Sequence, residues 1–277
     1  MKERVQFQDF NRLWAEHVAR SDSLRMKDDQ AERDFWQGFM ARKTGYAPDA
    51  SSRQVVRKLL LPLMEEYRVQ TALEWGPGWG NYTIDLAKAC RRVDCVDISR
   101  DVLDFIRHIG REQGCENLET IQAKWEDFAP RERYDLVFGY NCFYRQADLA
   151  QCFAKMNGAA RKLCVAGMNS GIAPAWVQEL AAAGAKIKWE WKDYIYFVVV
   201  LYQMGIHANV TVLPFSKTLR YPDEDALFRG ACGRCAPDSI SRDAALDILR
   251  RHFTRDTDGS WLSQAQYHSG IVWWTPV

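Results

Sequence analysis

The chain has 277 residues, 47% of them hydrophobic, and a formal net charge of +1. It can therefore bury a sizeable core, and it carries no charge excess of the kind that draws a protein to nucleic acid or to an anionic membrane. The opening MKERVQFQDF is charged and lacks the apolar stretch of a secretory signal, and the longest apolar run, Tyr194–Met204 (broken only by Gln203), is too short to span a bilayer. Eight cysteines scattered through an ordinary composition suit reduced thiols rather than a disulfide framework. The expectation is a cytoplasmic protein with no nucleic-acid and no membrane partner.

Residues 1–69 read as an N-terminal helical segment. Phe7, Phe10, Leu13, Trp14 and Val18 recur at helical spacing, as do Phe35, Trp36, Phe39 and Met40. Ser51 and Ser52 can cap a third helix carrying Val55, Val56, Leu59, Leu60 and Leu63, in which Pro62 should introduce a kink or a break.

The centre of the sequence is TALEWGPGWGNYTIDLAKACRRVDCVD, residues 71–97. A short apolar run ends on Glu74 and passes into Gly76-Pro77-Gly78-Trp79-Gly80. A helical stretch over 81–90 follows, and a second apolar run then closes on Asp97. Strand, glycine turn, helix, strand is a βαβ unit whose turn lies at a helix N-terminus, where backbone N–H groups can face a ligand. Glycine suits that turn because a Cβ would block both tight turning and close approach. A dinucleotide fingerprint needs G-x-G-x-x-G, but here the third glycine comes one residue early and Asn81 stands in its place. A carboxylate at the turn would repel a pyrophosphate and suits a cationic ligand such as a sulfonium.

EWGPGWGNYT…VDCVDIS resembles the first two motifs of class I S-adenosylmethionine-dependent methyltransferases, in register from about Thr71 to Met168. The resemblance implies an α/β fold: a seven-stranded, mostly parallel, doubly wound sheet with an N-terminal helical segment and a C-terminal helical, aromatic insertion. It implies S-adenosylmethionine as cofactor and S-adenosylhomocysteine as product. Glu74, Gly76, Gly78 and Gly80 would lie against the methionine and ribose, Asp97 would take the ribose hydroxyls, and Ile98 would be a further cofactor contact. Similar enzymes build part of the acceptor site from an N-terminal segment, which makes Trp36 and Tyr46 candidates there.

Beyond Asp97, Ser99 caps a helix with Val102, Leu103, Phe105, Ile106 and Ile109, ended by Gly114. Leu118–Gln122 reads as the third strand. In the resembled family the next turn usually carries an acid that reaches the adenine amino group, but here Lys124 stands in its place. Trp125 and Glu126, or Asp127, are left as the adenine contacts; the alternative is that Glu126 and Asp127 only begin a helix. Tyr134–Tyr140 is nearly continuous in apolar residues, as a central parallel strand should be. Ligands of open α/β sheets lie beyond the carboxyl ends of the strands, so Tyr140, Asn141, Phe143 and Tyr144 are expected beside the reacting methyl. Tyr140, Asn141 and Tyr144 are the catalytic candidates, Tyr140 also touching the cofactor. A helix over 147–158 leads to a fifth strand, Lys162–Met168, with Met168 and Asn169 bordering the same cleft.

The organisation expected is 1–69 as cover, 70–171 as cofactor-binding core, 172–230 as insertion and acceptor-site lid, and 231–277 as completion of the sheet. In the insertion, Pro174 starts a helix ending near Gly184, and Trp189, Trp191, Tyr194, Tyr196, Phe197 and Tyr202 crowd one span. They form either packing or an aromatic acceptor wall, with Tyr194–Met204 read as helix and His207 as a further pocket candidate. Ala208–Phe215 and Tyr267–Thr275 read as strands, and Arg242–Phe253 as an amphipathic helix. Cys232 and Cys235 form a lone C-x-x-C without the second pair a structural zinc requires, so no metal is expected.

The function implied is methyl transfer to a small-molecule acceptor by in-line displacement, with the oligomeric state open. A protein or RNA acceptor, a binding protein that holds the cofactor without turnover, and a nicotinamide oxidoreductase are the alternatives, the last disfavoured by the glycine spacing.

Overall fold

The computed structural model describes residues 8–171, 173–187, 193–233 and 235–277. Phe7, Trp189 and Trp191, singled out in the sequence, lie outside the described residues. The strands are β1 (Thr71–Trp75), β2 (Arg92–Asp97), β3 (Leu118–Gln122), β4 (Tyr134–Tyr140), β5 (Ala160–Ser170), β6 (Asn209–Tyr221), β7 (Thr254–Arg255) and β8 (Trp261–Trp274). Seven follow the order β3-β2-β1-β4-β5-β8-β6, and the two-residue β7 pairs with β8 off that path. The pairs β3–β2, β2–β1, β1–β4 and β4–β5 are all parallel. This is the doubly wound, mostly parallel α/β sheet that the resemblance implies, built on the βαβ unit read from residues 71–97.

The chain divides into two compact units: residues 1–169, 192–212 and 270–277, and residues 170–191 with 213–269. In the first, α1 (Phe10–Arg20), α2 (Leu24–Lys27), α3 (Asp29–Met40), α4 (Ala50–Val55) and α5 (Leu61–Glu66) precede the sheet. Asp9 and Asp28 cap α1 and α3, accepting from the Arg12 and Ala31 amides. The expected break near Pro62 is a π-helical turn, Val56–Leu60, placed just before it. Pro62 follows as the second residue of α5, where the N–H it lacks interrupts the ladder of a helix that otherwise runs on from the π turn. Crossovers α6 (Thr83–Ala89), α7 (Arg100–Glu112) and α8 (Leu149–Ala159) link the parallel strands. β1 is buried at every residue, and β4 through Gly139, because both are flanked by strands and covered on both faces.

Helix α10 (Tyr194–Gln203) belongs to this unit too. Phe197 is fully buried, with its ring 4.6 Å from Phe143 and 5.3 Å from Phe153, and Tyr196 packs on Phe10 and Trp14. These insertion aromatics complete the core.

The second unit has its own core of Leu180, Leu227, Leu246, Leu249, Phe253 and Trp261. Its helices are α9 (Ala175–Ala182), α11 (Glu224–Cys232) and α12 (Arg242–His252). Ser241 caps α12, and the predicted inward residues Ala245, Leu246, Ile248 and Leu249 are all buried. Cys232 and Cys235 are free thiols on one turn, the Cys235 amide donating to the Cys232 carbonyl at 2.8 Å. No group of three or more His, Cys, Asp or Glu gathers as a metal site among the described residues. No helix among them is long and apolar enough to cross a membrane.

Candidate donor pocket

The strand register puts two acids at neighbouring strand ends. Glu74 stands next to last in β1, opposite Cys95 of β2, and Asp97 ends β2. Both are buried, at 1% and 6% exposure, and both line one cavity. Glu74 accepts a weak bond from the Cys95 thiol at 3.8 Å, and Asp97 accepts from the Ser99 amide at 2.8 Å. Burial pushes the Glu74 carboxyl up to about 7, with the neighbouring Asp97 charge adding to it. Burial likewise raises Asp97 to about 7, opposed by the Ser99 amide and reinforced by Glu32. Two desolvated acids facing one space form a site that a bound cation would relieve.

Between them runs the glycine turn. Gly76, Gly78 and Gly80 all have positive φ, at 63°, 54° and 80°. A Cβ on Gly76 would lie 2.5 Å from the Cys142 Cβ, and one on Gly80 would lie 2.5 Å from the Ile109 Cδ1 of α7. The early third glycine is thus explained by its neighbour: it lets the turn lie against α7. The Gly76 amide donates to the Val96 carbonyl at 2.9 Å and the Gly80 amide to the Pro77 carbonyl at 3.0 Å. Those two amides are committed inside the protein, contrary to the expectation of a row of N–H groups facing a ligand. What these glycines supply is space.

Past β3 the turn is closed from below. Lys155 Nζ donates to the carbonyls of Trp125, Glu126 and Phe128 at 2.6, 2.7 and 3.1 Å. Trp125 is buried and stacks on Trp75, with centroids 4.7 Å apart. Glu126 and Asp127 are in a turn and do not begin a helix. Ile98, Ala123, Trp125 and Glu126 all line the cavity. Lys124, the departure from the family pattern, points its ammonium at the Asp29 carboxylate of α3, 3.0 Å away.

The end of β4 brings Tyr140, Asn141 and Tyr144 to the same cavity. Asn141 adopts φ 54°, its amide donating to the Gly167 carbonyl and its Oδ1 accepting from the Asn169 amide at 2.7 Å. The Tyr140 hydroxyl donates to Asn169 Oδ1 at 2.7 Å, its ring resting on Gly167 and 4.9 Å from the Tyr82 ring. The Tyr144 hydroxyl donates to Glu32 and accepts from Arg25 Nη2 at 3.0 Å. Burial and the Glu32 charge push the Tyr144 phenol well up, so it holds its proton through the neutral range.

Some predicted neighbours fall elsewhere. Phe143 turns into the core against Trp75 and Phe153, and Met168 is buried there as well. His207 lies beside Tyr202, and neither it nor Tyr46 is among the residues lining the cavity. Trp36 does line it, 3.3 Å from where a Gly78 Cβ would stand, and packs near Trp79 at 6.3 Å. Sequence reasoning missed Arg25, Asp29, Glu32 and Arg145. The available signal was a pair of acids, Asp29 and Glu32, on the same face of α3 as Trp36.

The cavity is open to solvent and, with its mouth, takes in about 890 Å³. The Trp79 indole N–H, on a residue that lines it, is buried without a partner. Two buried acids, an orphaned donor and a glycine-rich turn fit a ligand bearing a cation, a sugar and polar acceptors. S-adenosylmethionine has those parts.

Residues 72–162 match the family model described as a methyltransferase domain. Similar solved structures include magnesium protoporphyrin IX methyltransferase from Synechocystis PCC 6803 with bound SAH. It is 12% identical, with a TM-score of 0.52, and the match covers 90% of this chain and 100% of that one. The same enzyme with bound SAM aligns at 13% identity and a TM-score of 0.52, covering 93% and 100%. A protein assigned as a methyltransferase from Bacillus halodurans C-125 aligns at 14% identity and a TM-score of 0.51, covering 78% and 98%. No curated protein matches the chain. The chain thus carries a methyltransferase domain over residues 72–162, on a fold it shares with methyltransferases solved with SAM or SAH bound.

Proposed function

We propose that the enzyme methylates a small molecule, with Asp97 accepting from the ribose hydroxyls, Glu74 and the glycine turn facing the methionine end, and Ile98, Trp125 and Glu126 bounding the adenine. The observation that carries this reading is the pair of buried carboxylates, Glu74 and Asp97, facing one cavity beside a turn with glycine at three of its five positions. The cofactor supplies a methyl group on positively charged sulfur, already activated for displacement. The chain's task is to hold two reactants aligned and dry, worth up to roughly 7–11 kcal/mol in favourable cases.

Tyr140 and Asn141 are built for alignment. Each is fixed through Asn169, and Tyr140 is backed by Gly167 and Tyr82. Tyr144 holds its proton on Glu32, so its part is to shape the wall rather than to remove a proton. The aromatic lining of Trp36, Trp79, Tyr82 and Tyr140 suits an acceptor with an apolar, planar body.

The test is methyl transfer from tritiated S-adenosylmethionine in cell extract. Label is expected in the soluble small-molecule fraction; label in precipitable protein or RNA would refute the small-molecule acceptor.

A further inference from the structure

We propose that Glu32 is a positioning residue of the donor pocket, the group through which the N-terminal helices become part of its wall. This rests on the donor-site reading above. Glu32 belongs to α3, outside the family-matched region, yet it lines the same cavity as Glu74 and Asp97. It is 2% exposed. Arg25 Nε and Nη2 donate to it at 2.8 and 3.3 Å, Trp36 Nε1 at 2.7 Å, and the Tyr144 hydroxyl closes the set. A carboxylate is tolerated at that depth only when donors fill its lone pairs, and here they do.

The donors come from different parts of the pocket. Trp36 stands against Gly78 of the glycine turn, and Tyr144 comes from the segment after β4. One acceptor therefore fixes two walls that the sheet alone does not connect. Arg25 is held in turn, its guanidinium 3.3 Å from the centroid of the Phe35 ring. Asp29, one turn earlier on α3, repeats the arrangement by accepting from Lys124 and Arg145. Without the Glu32 carboxylate, Trp36, Arg25 and Tyr144 each lose a partner, which leaves the Arg25 guanidinium, 5.8 Å from the Trp36 ring and 5.4 Å from the Tyr144 ring, to span them without the acceptor that fixes it. The wall facing the cofactor then loosens even where the sheet stays intact.

Isothermal titration of S-adenosylmethionine, run well below the unfolding midpoint, tests this on wild type, Glu32→Gln, Glu32→Ala, Tyr144→Phe and the Glu32→Gln/Tyr144→Phe double variant. Glu32→Ala should weaken binding tenfold or more, and Glu32→Gln, which keeps the shape and one acceptor oxygen, should recover part of that. The double variant should bind about as weakly as the weaker single, because both changes break one linkage. If Glu32→Ala does not fold, Tyr144→Phe and Arg25→Met carry the same expectation of weakened binding. Variants that melt earlier but bind as tightly as wild type would overturn the proposal, since a merely structural residue behaves that way. Asp97→Ala separates the two readings. If it loses binding while the Glu32, Tyr144 and Arg25 variants keep it, only the positioning role falls. If wild type fails to bind, the donor-site reading falls and this role with it.

Discussion

Lys124 Nζ lies 3.0 Å from the Asp29 carboxylate, joining the turn after β3 to the N-terminal helix α3. At the position where the resembled family usually carries an adenine-binding acid, this chain uses the side chain to pair with α3. Both partners are 34% exposed, so the pair is screened and its own worth is small. Lys124→Ala should lower stability by under about 1 kcal/mol in urea unfolding. Lys124→Glu should do more, because it sets like charges against Asp29.

Gly76 and Gly80 both have positive φ, but their surroundings differ. A Cβ at Gly76 meets the Cβ of Cys142, which cannot move without its backbone, whereas one at Gly80 meets the tip of Ile109. Gly76→Ala should therefore cost about 1–3 kcal/mol and abolish cofactor binding, with Gly80→Ala the milder of the two. Thermal unfolding and a cofactor titration on each variant check the order.

Glu74 and Asp97 are both pushed up to about 7 in the folded protein, against a value near 4 in an unfolded chain. The folded state thus holds these protons more tightly. The stability they contribute is complete below about pH 4 and is lost as pH rises through 7. Stability differences between wild type and Glu74→Gln should widen from pH 6 to pH 8, in favour of the variant, when no cofactor is present. A sulfonium prefers both groups ionised, so cofactor affinity should rise over that same interval and binding should release protons. Calorimetry in two buffers of different ionisation enthalpy measures the release; a buffer-independent heat would contradict it.

Lys155 donates to three carbonyls of the turn after β3. Lys155→Met leaves them without that donor and should cost about 1–3 kcal/mol. It should also shift the near-ultraviolet dichroism of the stacked Trp75–Trp125 pair.

The parallel core was legible because its signals are local. Apolar runs ending on Glu74 and Asp97, the glycine turn and the Ser99 cap each encode geometry within a few residues. The same locality let Tyr140 and Asn141 be placed at the mouth of β4. The contacts of the N-terminal helices were not legible in this way. Glu32 reaches Tyr144, and Asp29 reaches Arg145, across more than a hundred residues of chain, and nothing in the spacing of α3 announces the partner. Phe143 misled because neighbours on a short turn, Tyr144 and Phe143, face opposite ways, one to the cavity and one to the core. The aromatic insertion was ambiguous for a related reason. Tyr196 and Phe197 satisfy a pocket wall and a core equally well in composition, and only packing against Trp14 and Phe153 decides for the core.

Titration calorimetry of S-adenosylmethionine into wild type and Asp97→Ala bears most directly on the claim that two buried strand-end acids hold the donor. Saturable one-to-one binding is expected for wild type, weakened by about 1.5–3 kcal/mol when the ribose acceptor is removed. Equal affinity in the two proteins, or no binding in either, would contradict it.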